Sequence, residues 1–346
     1  MNPQLLVSVI IPCRNEERTI GLVLDALARQ TYPRDRMETI LADGHSTDGT
    51  RKRIRDFQKA HPGMGIRLID NPGRTAPAGL NAGLLASVGE IVVRMDAHAI
   101  PDPDYVEQCV RTLAETRCEA AGGMWEIRPG APGIVARAIA AAAGSPFGAG
   151  GVRYRVGGKP GEVDSVPFGS FRREIFDRLG YFNEQVPVNE DYEFHYRVRA
   201  AGGRIYFSPA IRSQYIARSD FRALIRQYFS YGHQKAAMLS FHPGSIRIRQ
   251  LIPALFTLSV AAGAVGAVFS PTLAIMLGLE LLAYGTADFV FSFWEAARRK
   301  DPAISPALLL VFFCIHTAWG AGFWIGGARN FGRMFRGDAA GKKAAG

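Results

Sequence analysis

Asp96 and His98, separated by one alanine at the end of an apolar run, are the residues of this chain whose types and spacing are richest in chemistry. The run, residues 91–95, reads as a buried strand, and Pro101-Asp102-Pro103 marks a turn soon after it. A carboxylate and an imidazole leaving the carboxyl end of a strand together can hold a divalent cation against a diphosphate. Two further acidic stations lie on the same part of the chain. Asp43 and Asp48 bracket the turn Gly44-His45-Ser46-Thr47 between an apolar run and a helix start, where free amides favour an anion. Glu190-Asp191 opens another helix, where a carboxylate either complements the helix dipole or faces a cleft as a general base.

The elements that must position these stations alternate. Residues 7–11, 39–42, 66–69 and 91–95 read as strands, and 17–29, 49–60, 78–86 and 105–116 as helices. Strict alternation predicts right-handed crossovers and a parallel sheet, with ligands beyond the carboxyl ends of its strands. Further on, the pattern predicts a strand at 121–127, an Ala-rich helix at 134–143, helices at 174–179 and 191–201, and a strand at 205–207. The Gly-rich stretch 144–161 reads either as a mobile lid over an acceptor or as a disordered surface loop. Cys13, Cys109, Cys118 and Cys314 have no metal-ligand or disulfide spacing and are expected to be free buried thiols.

Of the 346 residues 48% are hydrophobic, high for a soluble protein, and the excess is concentrated late in the chain. Residues 251–294 carry only Glu280 and Asp288 as charges and 304–327 carry none, so three membrane helices are expected, near 251–269, 272–294 and 304–327. Charged Glu280 and Asp288 are expected to face other helices rather than lipid. The net charge of +10 is not read as nucleic-acid binding, because no recognised motif accompanies it. Its basic, aromatic-bearing stretch lies directly before the first apolar span and fits an anionic membrane surface. The chain opens on a strand-like run rather than a secretory leader, so its N-terminal part is expected in the cytoplasm. Three crossings would put Arg329, Arg333, Arg336, Lys342 and Lys343 outside, against the positive-inside bias. A re-entrant last segment or a non-crossing earlier one would remove that conflict, and both remain open.

Taken in order, Pro12-Cys13-Arg14-Asn15-Glu16-Glu17, the Asp43-Gly44 turn with Ser46-Thr47-Asp48-Gly49-Thr50, Asn81-Ala82-Gly83, Asp96, and Glu190-Asp191 followed by Gly202 form one pattern. That pattern resembles family 2 glycosyltransferases with the GT-A fold, over about residues 7–209. With Ser145-Pro146-Phe147-Gly148 and the apolar C-terminal segments, the resemblance is to the bacterial succinoglycan type, which builds exopolysaccharide repeat units. It implies an α/β fold with a mixed, mainly parallel sheet flanked by helices, plus C-terminal transmembrane helices. The implied organisation is a cytoplasmic GT-A domain at 1–215, a basic amphipathic interfacial segment at 216–250, transmembrane helices at 251–330 and a basic tail at 331–346. The implied location is the bacterial plasma membrane.

The resemblance also implies roles for residues. Pro12, Glu16 and Asp43 would surround the nucleotide, Arg74 would face it, and Asp96 with His98 would meet the sugar-diphosphate and its Mn²⁺ or Mg²⁺. Asp191, beside Glu190, would be the catalytic base, taking the acceptor's proton during an inverting displacement. Gln227, Tyr231 and His233 either frame a polyprenyl-linked acceptor or belong to an interfacial helix. The implied partners are a nucleotide-sugar donor of the UDP-linked kind, a polyprenyl-diphosphate glycan, membrane lipid and exopolysaccharide assembly proteins. Two departures stand out. His98 replaces the second acid of the usual Asp-x-Asp motif, and Gln227-Tyr228-Phe229-Ser230-Tyr231 lacks the Arg-Trp of processive synthases, so single-sugar addition is expected. A polyprenyl-phosphate sugar synthase and a catalytically silent membrane scaffold are the alternative readings.

Overall fold

The computed structural model describes residues 5–335, so residues 336–346, most of the expected basic tail, with Arg336, Lys342 and Lys343, lie outside the described residues. In chain order the elements are β1 (Val7–Cys13), α1 (Ile20–Ala28), β2 (Met37–Asp43), α2 (Thr50–Ala60), β3 (Gly65–Asp70), α3 (Ala76–Ala86), β4 (Ile91–Arg94), β5 (Ile100–Pro101), α4 (Tyr105–Thr116) and β6 (Ala120–Arg128). There follow α5 (Ile134–Ala143), α6 (Pro146–Ala149), α7 (Arg153–Val156), β7 (Gly161–Glu162), β8 (Ser170–Arg172), α8 (Glu174–Leu179), α9 (Glu190–Ala200) and β9 (Ile205–Ile216). The last four helices are α10 (Phe221–Leu239), α11 (Ile248–Gly266), α12 (Pro271–Arg298) and α13 (Ser305–Phe335). The chain divides into two compact units, one running up to Arg128 together with Val152–Ile216, the other made of Pro129–Gly151 and the chain from Ala217 onward.

In the first unit the strands order as β3-β2-β1-β4-β8-β6-β9-β5, with β7 on β9. The first four are parallel, as the alternation predicts, while β8 runs antiparallel to β4 and β6. The sheet is therefore mixed and mainly parallel, as expected. Val7, Val9, Ile10 and Ile11 of β1 are fully buried, the near-continuous apolar run of a strand covered on both faces. The core joins Ile10 of β1 and Val92 of β4 to a group of phenylalanines, Phe171, Phe176, Phe182, Phe194 and Phe207.

β6 and β9 pair parallel with a register shift between Gly122 and Met124. A Cβ on Gly123 would stand 1.7 Å from the Ile211 carbonyl oxygen, so only glycine lets the two backbones approach. Gly123→Ala is expected to cost about 3 kcal/mol through forced backbone displacement, read as a lower denaturation midpoint of the detergent-solubilised protein; an unchanged midpoint would refute the close approach.

The second unit is described by itself. Three helical segments, Ile248–Gly266, Pro271–Arg298 and Pro302–Asn330, are long and apolar enough to cross a membrane. α11 and α12 leave most of their side chains exposed, whereas α13 packs against α10, α11 and α5. Glu280 accepts from Ser259 of the neighbouring α11, as expected, whereas Asp288 is buried and accepts from Ser292 of its own helix at 3.1 Å. The Gly-rich stretch is neither a free lid nor an unstructured loop at its start. The Phe147 ring of α6 stacks on Phe291 (4.7 Å, 4°) and meets Phe312 and His316 edge-on, and His316 Nε2 donates to the Phe147 carbonyl at 2.9 Å. An aromatic side chain with that much apolar surface is better anchored among rings than left on a mobile loop.

Candidate active site

Strand order 3-2-1-4 reverses direction between β1 and β4, and α/β sheets bind ligands beyond the carboxyl ends of the strands at that point. Pro12–Glu16 leaves one of these strands and Asp96–His98 the other. The β1 and β2 loops are laced together: Asn15 N–H donates to Ser46 Oγ (2.9 Å), Glu16 N–H to Thr50 Oγ1 (2.8 Å), and Thr47 N–H to Asn15 Oδ1 (2.8 Å). This lacing uses Glu16 and Glu17 in the turn, which is why α1 starts at Ile20 rather than at residue 17. Asn15, His45 and Arg74, one on each of the loops after β1, β2 and β3, all sit at φ 57°. Left-handed non-glycine residues cost energy, and their convergence at one edge of the sheet is characteristic of a binding site.

Asp43 is fully buried. It accepts from Ser46 N–H (3.1 Å) and Ser46 Oγ (2.5 Å) and pairs with Arg51 at 2.8 Å, so both its oxygens shape the loop. Arg74 is exposed, with a guanidinium nitrogen 3.4 Å from His45 Nδ1. Asn81 fastens α3 to the segment before α9, donating to the Phe182 carbonyl and accepting from the Phe182 N–H, each at 2.9 Å. All four cysteines are free, and burial together with Asp43 pushes the Cys13 thiol up to about 12, leaving it an inert thiol.

The centre of the site is a residue the sequence reading passed over. Arg94, the last residue of β4, is buried and reaches Asp96 Oδ1 at 3.0 Å and Glu190 Oε1 at 2.5 Å. Arg94 joins the strand end to the α9 N-terminus, and Asp191 stands next to Glu190 on that same turn. The available signal was an arginine closing an otherwise apolar strand, since a buried charge needs a partner. Burial drives the Glu190 carboxyl up to about 7, with Arg94 opposing and Asp191 and Asp96 adding to the rise. Asp191 is also raised by burial, opposed by Arg94. Nearby His195 of α9 is fully buried against Phe171, and burial, with Arg199 and Arg94, lowers it to about 3, so it stays neutral.

The His98 side chain is 42% exposed; its Nδ1 lies 3.4 Å from Glu16 Oε1 and its Nε2 3.9 Å from Asp96 Oδ2. Burial raises the Glu16 carboxyl, but hydrogen bonds from His98 and Thr19 outweigh it and the net shift is downward. Among the described residues no three His, Cys, Asp or Glu side chains converge into a metal cage. A divalent cation shared with phosphates needs only one or two protein donors, and Asp96 with His98 supplies that number. Glu16 on Nδ1 gives the orientation usual for a metal-facing imidazole, whose other nitrogen is held by a carboxylate. The donor set fits the cation. In the second unit Gln227 donates to Tyr231 Oη at 3.0 Å, and His233 Nε2 is buried without a hydrogen-bond partner among the described residues.

A parallel half-sheet with loops at its switch point, and a carboxylate centre that joins the end of β4 to the α9 N-terminus, defines a nucleotide-sugar transferase of the GT-A fold. The chain belongs to glycosyl transferase family 2, whose sequence profile matches residues 8–180. It is 28% identical to the succinoglycan biosynthesis protein ExoA of Rhizobium meliloti over 318 residues, covering 91% of this chain and 93% of that protein. It is 26% identical over 318 residues to the dolichyl N-acetyl-α-D-glucosaminyl phosphate 3-β-D-2,3-diacetamido-2,3-dideoxy-β-D-glucuronosyltransferase of Methanococcus voltae, covering 89% and 94%. In fold it is similar to the mannosyltransferase PcManGT of Pyrobaculum calidifontis, solved with GDP-Man and Mn²⁺, at TM-score 0.62 and 24% identity over 91% of this chain and 88% of that one. The protein is a glycosyltransferase.

Proposed function

We propose that the enzyme transfers one sugar from a UDP-sugar to a polyprenyl-diphosphate-linked glycan at the cytoplasmic face of the plasma membrane, with inversion. The observation that supports this reading is the Arg94 centre, which ties Asp96 to Glu190, with Asp191 next to Glu190 on the same turn. Pro12, Glu16, Asp43 and Arg74 line the strand ends where the nucleotide would lie, and Asp191 takes the proton of the attacking acceptor hydroxyl. Glu190, committed to Arg94, holds the geometry and leaves Asp191 as the base. Asp96 and His98 would hold a Mn²⁺ or Mg²⁺ ion, which when bound neutralises the diphosphate leaving group. The lipid-linked acceptor is supported by the three long apolar helices and by the named activity of the Methanococcus relative. Gln227, Tyr231 and His233 would meet that acceptor.

The test is a panel of radiolabelled UDP-sugars with membrane lipid extract: label should move into the organic phase and be released by mild acid, whereas UDP-sugars left intact throughout would overturn the reading. His98→Ala is expected to raise the Mn²⁺ concentration for half-maximal activity about tenfold or more, since supporting or ligating groups typically change metal affinity 10–100-fold. An unchanged metal titration would remove His98 from the cation site.

A further inference from the structure

Across the sheet from the nucleotide-side loops, on β6 and β9, the first unit holds an aromatic cluster apart from the Arg94 centre. Trp125 of β6 stacks on Tyr215 of β9 (ring centroids 4.3 Å apart, 6° between planes) and meets Tyr154 of α7 edge-on (5.0 Å, 77°). The Arg155 guanidinium carbon lies 5.0 Å from the Trp125 ring centre, 5.7 Å from that of Tyr154 and 5.6 Å from that of Tyr215. Trp125 also contacts Phe168 at 5.5 Å, and the Phe168 ring lies 5.7 Å from the Arg94 guanidinium. One ring therefore separates the cluster from the arginine that holds Asp96 and Glu190.

Two features distinguish this cluster from ordinary core. The Trp125 residue is 9% exposed, and its indole Nε1–H is buried without a hydrogen-bond partner among the described residues. A buried indole N–H normally finds an acceptor, and leaving one unmade costs about 1–3 kcal/mol. The second feature is the cover. Tyr154 and Arg155 are only half-buried and belong to a four-residue helical turn followed by Gly157 and Gly158 at φ 86° and 139°, backbone conformations with little steric restriction for glycine alone.

A pyranose presents a C–H face that packs on an aromatic ring and a rim of hydroxyls that accept from N–H donors. An indole N–H, a guanidinium and tyrosine rings supply both kinds of contact. The nucleotide side of the sheet lies at β3 to β1, and the cluster lies beyond β8, on the other side of β4. We infer that Trp125, Tyr154, Tyr215 and Arg155 form the subsite for the acceptor's terminal pyranose, with the α7 turn moving as the sugar enters. The inference rests on the transferase reading above: this sugar would offer its hydroxyl to Asp191.

The test uses the full chain in detergent with Trp294, Trp319 and Trp324 replaced by Phe, so that emission reports Trp125. Methyl β-D-glucopyranoside, methyl β-D-galactopyranoside and methyl α-D-mannopyranoside are the probes. At least one should change the emission saturably, with the dissociation constant raised about fivefold or more by Arg155→Gln or Tyr154→Ala, changes on a short turn that spare the core. With lipid extract as acceptor, Trp125→Phe, which keeps a ring and loses the N–H, should raise the acceptor KM about tenfold and leave the donor KM unchanged. No saturable response to any of the glycosides, or an acceptor KM untouched by Arg155→Gln and Tyr154→Ala, would overturn the subsite. Saturable glycoside binding without transfer to any lipid would uphold it and overturn the proposed acceptor instead.

Discussion

Asp191→Asn is expected to lower kcat about 1,000-fold while leaving the donor KM within about twofold, because a general base contributes roughly 100- to 10,000-fold and the proposed role of Asp191 is toward the acceptor hydroxyl, not the nucleotide. Asparagine keeps the size and one oxygen but cannot take a proton. The pH profile should report the same group. Burial raises both carboxyls at the α9 N-terminus, Glu190 to about 7. A raised carboxyl is protonated below its pKa, so the base form grows as pH rises. Wild-type kcat should therefore climb through an acid limb near neutrality, reported by the coupled pair rather than by either carboxyl alone, and then level off. Retained activity in Asp191→Asn would remove Asp191 from the mechanism.

Arg94→Gln is expected to show the largest stability effect. The guanidinium opposes the upward shifts of both Glu190 and Asp191, and it pairs with Asp96 as well. Removing one partner of a buried ion pair leaves uncompensated charge, at a cost of about 3–5 kcal/mol. At about 2–4 °C per kcal/mol for a unit of this size, the thermal midpoint should fall by roughly 10 °C. Glu190→Gln added to Arg94→Gln should recover part of that loss, since one of the stranded charges is gone. A double variant no more stable than Arg94→Gln alone would show that the pair is not what holds β4 to α9.

Much of this was legible in the sequence, where local pattern carried it. β1 to β4 follow the alternation closely because fully buried parallel strands must be apolar runs, and Asp43, Asp96 and Glu190 stand at element ends because turns and helix starts select such residues. Arg94 was not legible: its partner Glu190 lies 96 positions away, and only the fold joins them. The final strand was read as 205–207, yet β9 runs Ile205–Ile216, because Ser208-Pro209 looks like a turn while the β6 register shift absorbs it. The Ala-rich helix at 134–143 appeared correctly, but an alanine face does not reveal its neighbour. It packs on α13 within the second unit. Trp125, Tyr154, Arg155 and Tyr215 come from three separate elements and leave no local motif at all.

Mass spectrometry of the lipid fraction after incubation with the accepted UDP-sugar tests the central claim most directly. The wild type should form a polyprenyl-diphosphate glycan heavier than its precursor by one sugar residue, and Asp191→Asn should not. A sugar-monophosphate lipid, a ladder of successive additions, or an unaltered lipid fraction would contradict it.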